Sequence, residues 1–214
     1  MAGPRHRAPR GTLNRERIVD TAVAIADEEG IAGLSMPKLA RRLGVGAMSL
    51  YTHVASKDEL VDAVAQRLLA QVVTLDAARP SGIAGVRDHF RALRKCLVAH
   101  PGLGEVFATR GVTVPAVFDL LERNLAHLVG LGLDDESAVR LYYALLTYTL
   151  GFATWQLPRA ALDDAAYRDR WHAILATLST EAFPTVHELQ TPLATVASDA
   201  QFEFGLLALT RELS

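Results

Sequence analysis

The sequence predicts an all-α fold, on three observations. Apolar residues recur at three- and four-residue intervals along nearly the whole chain, glycine and proline fall between those stretches, and no segment alternates as a half-buried strand does. The 214 residues are 50% hydrophobic and 21% charged, which excludes a disordered chain. One cysteine, Cys96, excludes a disulfide framework and a cysteine-rich zinc module.

The elements follow in order. Residues 1–13, with Arg5, Arg7, Arg10, two prolines and Gly11, read as a basic flexible arm. A helix over about 15–29 is capped by Asn14, places Ile18, Ala22 and Ile25 on one face, and ends at Gly30. A second, over about 36–43, has Ser35 as its cap and Pro37 in its first turn, where no intrahelical donor is lost; Met36, Leu39, Ala40 and Leu43 make its stripe and Gly44 stops it. A short third helix covers about 46–53. The fourth opens with a capping box, Ser56 to Glu59, and its stripe Leu60, Val64, Leu68, Val72, Leu75 carries it to about residue 77. Further helices are expected at about 82–99, 103–109, 114–130, 135–157, 164–180 and 198–213. The helix over 135–157 is apolar nearly all round, as a helix buried on several sides would be, and Pro158 ends it; Pro184 and Pro192 mark a loop. The expected organisation is an arm (1–13), a three-helix unit (14–59) and a larger helical body (60–214), joined by the long fourth helix.

The net charge of −2 conceals an asymmetry. Residues 1–57 carry nine Lys or Arg and five acids, a net of +4, and the rest of the chain carries −6. A basic N-terminal quarter on an acidic body points to two parts with different partners. The uncharged stretch 141–158 contains three threonines and three tyrosines, too polar for a membrane span, and the basic first 17 residues lack the apolar core of a secretory signal. A cytoplasmic chain without membrane contact is expected.

Gly44 and Val45 separate two short amphipathic helices, the spacing of a helix-turn-helix. In such a unit the second helix enters the major groove, with small or polar side chains outward and apolar residues docking it from behind. Leu50 and Val54, four apart, face inward; Ala47, Met48, Ser49 and Thr52 are left outward, and Tyr51 and His53 are able to donate to phosphate oxygens. Lys57 sits in the first turn of the fourth helix, where a cation opposes the helix dipole by about 0.3–1 kcal/mol unless a phosphate is its real neighbour.

Residues 30–60, with Leu39-Ala40, Leu43-Gly44-Val45, Leu50-Tyr51 followed by His53, and Ser56-Lys57-Asp58-Glu59-Leu60, closely resemble the DNA-binding domain of the tetracycline-repressor (TetR) family. The resemblance implies a homodimer on a palindromic operator, and a larger C-terminal domain whose small-molecule effector moves the fourth helix, changes the half-site spacing and releases DNA. Most such proteins are repressors. It implies phosphate contacts from Tyr51, His53 and Lys57, groove contacts from Ala47, Met48 and Ser49, and places Ser35 and Lys38 near the DNA backbone. Pro37 stands where some relatives carry a donor, and the arm arginines would reach phosphates or the minor groove.

The body resembles the tetracycline-repressor-like C-terminal class through Thr109-Arg110, Leu150-Gly151 and the run Phe202-Glu203-Phe204-Gly205-Leu206. That implies a four-helix dimer interface made by the helix over 135–157, the last helix and their symmetry mates. An effector pocket would be lined by Phe90, Leu93, Phe107, Phe118, Leu121, Tyr148, Phe152 and Trp155, with His89 and Arg110 as polar anchors. The same residues, at helical spacing, also read as plain core. Enzyme chemistry is not signalled. The seven histidines include no i,i+4 pair, there is no GxSxG, P-loop or GxGxxG, and neither metal nor cofactor is expected. Cys96, beside Arg94 and Lys95, reads as a packed thiol or as a thiol whose pKa its neighbours lower. The competing functional reading is a DNA-binding regulator without a small-molecule effector, controlled by a protein partner.

Overall fold

The computed structural model describes residues 13–76, 82–110, 114–160, 164–194 and 198–213, and the arm with Arg5, Arg7 and Arg10 lies outside them. The described residues are helical, in the order α1 (Arg15–Gly33), α2 (Met36–Leu43), α3 (Ala47–Tyr51), α4 (Lys57–Asp76), α5 (Gly82–Ala99), α6 (Pro101–Arg110), α7 (Pro115–Gly130), α8 (Asp135–Ala160), α9 (Asp164–Leu175), α10 (Pro184–Glu188), α11 (Gln190–Leu193) and α12 (Asp199–Leu209).

In the N-terminal unit, Asn14 accepts the Arg17 backbone N–H at 2.8 Å and starts α1. Ile18, Ala22, Ile25, Leu39 and Leu50 close its core, each no more than 0% exposed. The axis of α1 breaks at the expected residue, Gly30, whose φ of 73° suits a residue without Cβ. The chain nevertheless regains a helical turn to Gly33, because the Glu105 carboxylate of α6 accepts the freed N–H of Ile31 at 3.0 Å. Gly44, at φ 69° and ψ 28°, closes α2, and Val45 donates back to the Ala40 carbonyl at 3.0 Å.

Several boundaries differ from expectation for local reasons. α3 is shorter than 46–53, since Thr52 turns its hydroxyl onto the Ser49 carbonyl at 2.8 Å. α6 begins at Pro101, and α8 runs to Ala160 with Pro158 inside its last turn, where one ladder bond is lost rather than a whole helix. α9 stops at Leu175 because the Thr177 hydroxyl takes the Ile174 carbonyl at 2.7 Å. The loop with Pro184 and Pro192 contains the two short helices α10 and α11. The last helix starts at the expected cap, Ser198 accepting from Gln201 N–H at 3.3 Å, and ends at Leu209 with a 3₁₀ turn over Arg211–Leu213.

In the body, α5 packs against α4, α7 and α8, and α12 lies along α8. Three arginines on one side of α5 hold α12. Arg87 donates to the Thr210 hydroxyl at 2.8 Å, Arg91 grips Glu203 through two bonds at 2.8 and 2.6 Å, and the buried Arg94 reaches Asp199 at 2.6 Å. The Arg94 guanidinium also lies 4.7 Å from the centre of the Phe202 ring and 5.3 Å from that of Phe152. The body meets the N-terminal unit along two lines. On one, exposed ion pairs join α4 to α1: Arg67 to Asp20 at 3.1 Å, and Glu59 to Arg15 at 2.9 Å. On the other, α6 and the end of α5 meet the far half of α1 through Glu105 and through His100, 2.9 Å from Asp27. No described helix is long and apolar enough to cross a membrane.

Candidate nucleic-acid interface

The α2–turn–α3 unit sets the geometry of the basic face. Leu50 and Val54, 0% and 1% exposed, dock α3 on the core, so the residues between and before them point away from it. Met48 is 78% exposed, the Tyr51 ring is half exposed, Ser49 and Thr52 are exposed, and Ala47 and His53 are half-buried. Met48, Ser49 and Thr52 point outward as the spacing predicts, whereas Ala47, three residues before Leu50, packs partly against the core. Ser56 caps α4 by accepting the Glu59 N–H at 3.1 Å, and the Glu59 carboxylate accepts the Ala55 N–H, one residue before the cap, at 2.7 Å, which places Lys57 in the first turn of α4.

The electrostatics of α2 add something the sequence reading missed. Lys38 pairs with Glu29, and Arg42 makes two bonds of 2.5 Å to Glu28, both acids coming from the end of α1. The Arg42 guanidinium holds the Glu28 carboxyl below the usual carboxylate range. A phosphate arriving at Lys38 or Arg42 therefore competes with a carboxylate already in place. Arg41 and Lys57 carry no ion pair among the described residues, and both are exposed. The signal for the α1 partners was present as the run Asp27-Glu28-Glu29 facing Lys38, Arg41 and Arg42 across the turn. Ser35 accepts from the Lys38 N–H at 3.4 Å, so its hydroxyl serves first as a helix cap.

The pocket candidates of the body do not converge on one space. Phe90 and Leu93 are inside the core, and His89 is buried with its ring edge-on to Phe90 at 4.8 Å. Phe118 and Trp155 are 58% and 50% exposed, and Phe107 and Leu121 are half-buried. Tyr148 donates to the backbone carbonyls of Gln201 and Phe202, both at 3.1 Å, and burial pushes its phenol above the usual value. Phe152 packs edge-on against Phe202 at 5.3 Å. These two therefore join α8 to α12. The Arg110 side chain lies outside the described residues. Thr149, absent from the expected set, is fully buried on α8 with no hydrogen-bond partner for its hydroxyl among the described residues. A groove of about 630 Å³ opens elsewhere, between α1, α4 and the start of α7, with Val19, Ala63 and Pro115 in its wall.

Cys96 is not an activated thiol. Arg94 turns away from it toward Gln156 and Asp199, its Sγ faces the Leu68 carbonyl at 3.8 Å, and burial, with the Asp27 carboxylate, pushes its pKa up to about 11.

Comparison with known proteins places both parts of the chain. Residues 18–64 match the family described as bacterial regulatory proteins, tetR family, and residues 83–210 match the tetracyclin repressor-like C-terminal domain. The HTH-type transcriptional repressor DrrR1 of Streptomyces coeruleorubidus is 35% identical over 179 residues, covering 78% of this chain and 63% of that protein, so the match spans less than two thirds of its length. The tetracycline repressor protein class D of Escherichia coli is 32% identical over 156 residues, 71% of each chain. The crystal structure of the Streptomyces coelicolor TetR family protein ActR in complex with actinorhodin superposes with a TM-score of 0.79 at 32% identity, over 95% of this chain and 96% of that one. With an N-terminal unit and a body that each match, in that order and on an all-α fold, the chain belongs to the tetR family of bacterial regulatory proteins.

Proposed function

We propose that this chain is a DNA-binding transcriptional repressor that acts as a homodimer on a palindromic operator and releases it when a small molecule occupies the body. The observation that carries the reading is the basic helix-turn-helix face: α3 is docked by Leu50 and Val54, its remaining side chains are free to enter a groove, and Tyr51, His53 and Lys57 flank it. Ser35, Lys38, Ala47, Met48 and Ser49 complete the DNA-facing set, and the arm adds charge to it.

Dimerisation is assigned to α8 and α12. Val139, Tyr143 and Trp155 on α8 and Phe204 and Leu207 on α12 are 43%, 54%, 50%, 65% and 47% exposed, apolar surface that these two helices leave in water. An isologous pairing of these helices buries it and supplies the two-fold symmetry of a palindromic site. The solved relative that is similar over nearly the whole chain is described in complex with actinorhodin, which supports an effector site in the body. The cytoplasm is where such a regulator would meet its operator.

Gel-shift or anisotropy titration of duplexes enriched from a random pool tests the reading. Tyr51→Ala combined with Lys57→Ala is expected to weaken binding by about 1–3 kcal/mol per half-site with the thermal midpoint unchanged. Undiminished binding by this variant would remove these residues from the interface.

A further inference from the structure

The outward face of α3 has an unusual chemistry for a surface that reads base edges. Direct readout ordinarily uses side chains with two hydrogen-bonding groups, Arg or Lys on guanine and Asn or Gln on adenine. Between Gly44 and Ser56 there is no Arg, Lys, Asn, Gln, Asp or Glu. The Thr52 hydroxyl proton is committed to the Ser49 carbonyl at 2.8 Å, which leaves the threonine methyl as its outward feature. Ala47 offers a methyl, and Ser49 a single short hydroxyl. Among them stands Met48, 78% exposed and more open than any other exposed large hydrophobic residue of the described chain. It lies four residues from Thr52, on the side of the helix away from Leu50.

The major groove offers one apolar feature, the C5 methyl of thymine. We infer that Met48 is the specificity-determining residue of this chain and that it reads a thymine C5 methyl in each operator half-site, so that sequence recognition by α3 is mainly apolar. The inference rests on the DNA-binding reading above. Methionine suits the task, because its unbranched, polarizable thioether adapts to a methyl without strict geometry. Burying the Met48 end group against that methyl removes from water the side chain that the free protein leaves most exposed. The hydrogen bonds and charges of Tyr51, His53, Lys57 and Arg41 are then left to hold the phosphate backbone, which positions α3 and carries no sequence information.

The test uses the full chain and duplexes enriched from a random pool. Enriched duplexes are expected to share a thymine at one symmetric pair of positions. Replacing that thymine by deoxyuridine, which lacks only the methyl, is expected to weaken binding about fourfold per half-site, the worth of one buried methyl group. Met48→Ala is expected to bind the thymine and deoxyuridine duplexes within about twofold of each other, and Met48→Leu to retain the preference. Met48 is exposed, so neither change threatens the fold, and circular dichroism checks this. Wild-type protein indifferent to deoxyuridine at every thymine would overturn the inference while leaving DNA binding intact. So would a thymine preference that survives in Met48→Ala, since another group would then read the methyl. Failure to enrich any duplex would overturn the DNA-binding reading and this inference with it.

Discussion

On α3 the exposed side chains are short or polar with one exception, Met48, whereas α8 and α12 leave several large apolar side chains in water: Val139, Tyr143, Trp155, Phe204 and Leu207. Both regions rest on well-closed cores, with Leu50 and Phe202 each 0% exposed beneath them. The difference is in what each surface requires. A polar face with isolated apolar tips is stable in water and waits for a charged partner. A broad apolar face is a liability unless a second copy covers it permanently. On the proposed reading, one surface takes an exchangeable partner and the other a constant one.

The largest effect is expected from breaking the second surface. Phe204→Glu with Leu207→Glu places four carboxylates at the pairing of two copies, and the dimer dissociation constant should rise by about a hundredfold or more, from the lost burial alone. Sedimentation velocity at micromolar protein reads this directly. An unchanged dimer would move the interface away from α12.

Leu50→Ala tests the first region from beneath. Removing a fully buried side chain that docks α3 should cost about 2–5 kcal/mol in urea unfolding, and a loss well below that range would mean that α3 is not held by this contact.

The smallest effect concerns the seating of α12 on α5. The Arg91 guanidinium bonds Glu203 and holds its carboxyl below the usual glutamate range. A depressed folded-state pKa stabilises the fold above the unfolded value, and the gain is lost as pH falls through the folded value. Wild type should therefore exceed Glu203→Gln in stability at pH 6, with the gap closing below about pH 4. Both carboxylate and guanidinium are about one third exposed, so solvent screens the pair and the gap should be modest. A gap that widens on acidification would contradict the pairing.

The two regions were also unequally legible. The caps at Asn14, Ser35, Ser56 and Ser198, the breaks at Gly30 and Gly44 and the inward pair Leu50 and Val54 follow from rules that act within a turn or two of helix, and the structure has them where the spacing put them. Where boundaries moved, a side chain took a backbone partner, as Thr52, Thr177 and Glu105 do. The body is different because its contacts join residues far apart in sequence. Periodicity marks Phe90 and Trp155 alike as apolar helix positions, yet one is inside the core and the other half exposed. The docking of α12 by Arg87, Arg91 and Arg94 had a readable signal in their spacing along one helix, but their partners lie more than a hundred residues away. The pairing of Lys38 and Arg42 with Glu29 and Glu28 depends in the same way on how α1 crosses α2.

The central claim is that the small basic unit, and not the acidic body, meets a polyanion. The salt dependence of binding to an enriched duplex tests it most directly. With Arg41 and Lys57 of each of two protomers on phosphates, and Lys38 already held by Glu29, the logarithm of the association constant should fall with the logarithm of salt concentration at a slope of about −4. A slope near zero, or no measurable binding at about 50 mM salt where such contacts are strongest, would contradict the account.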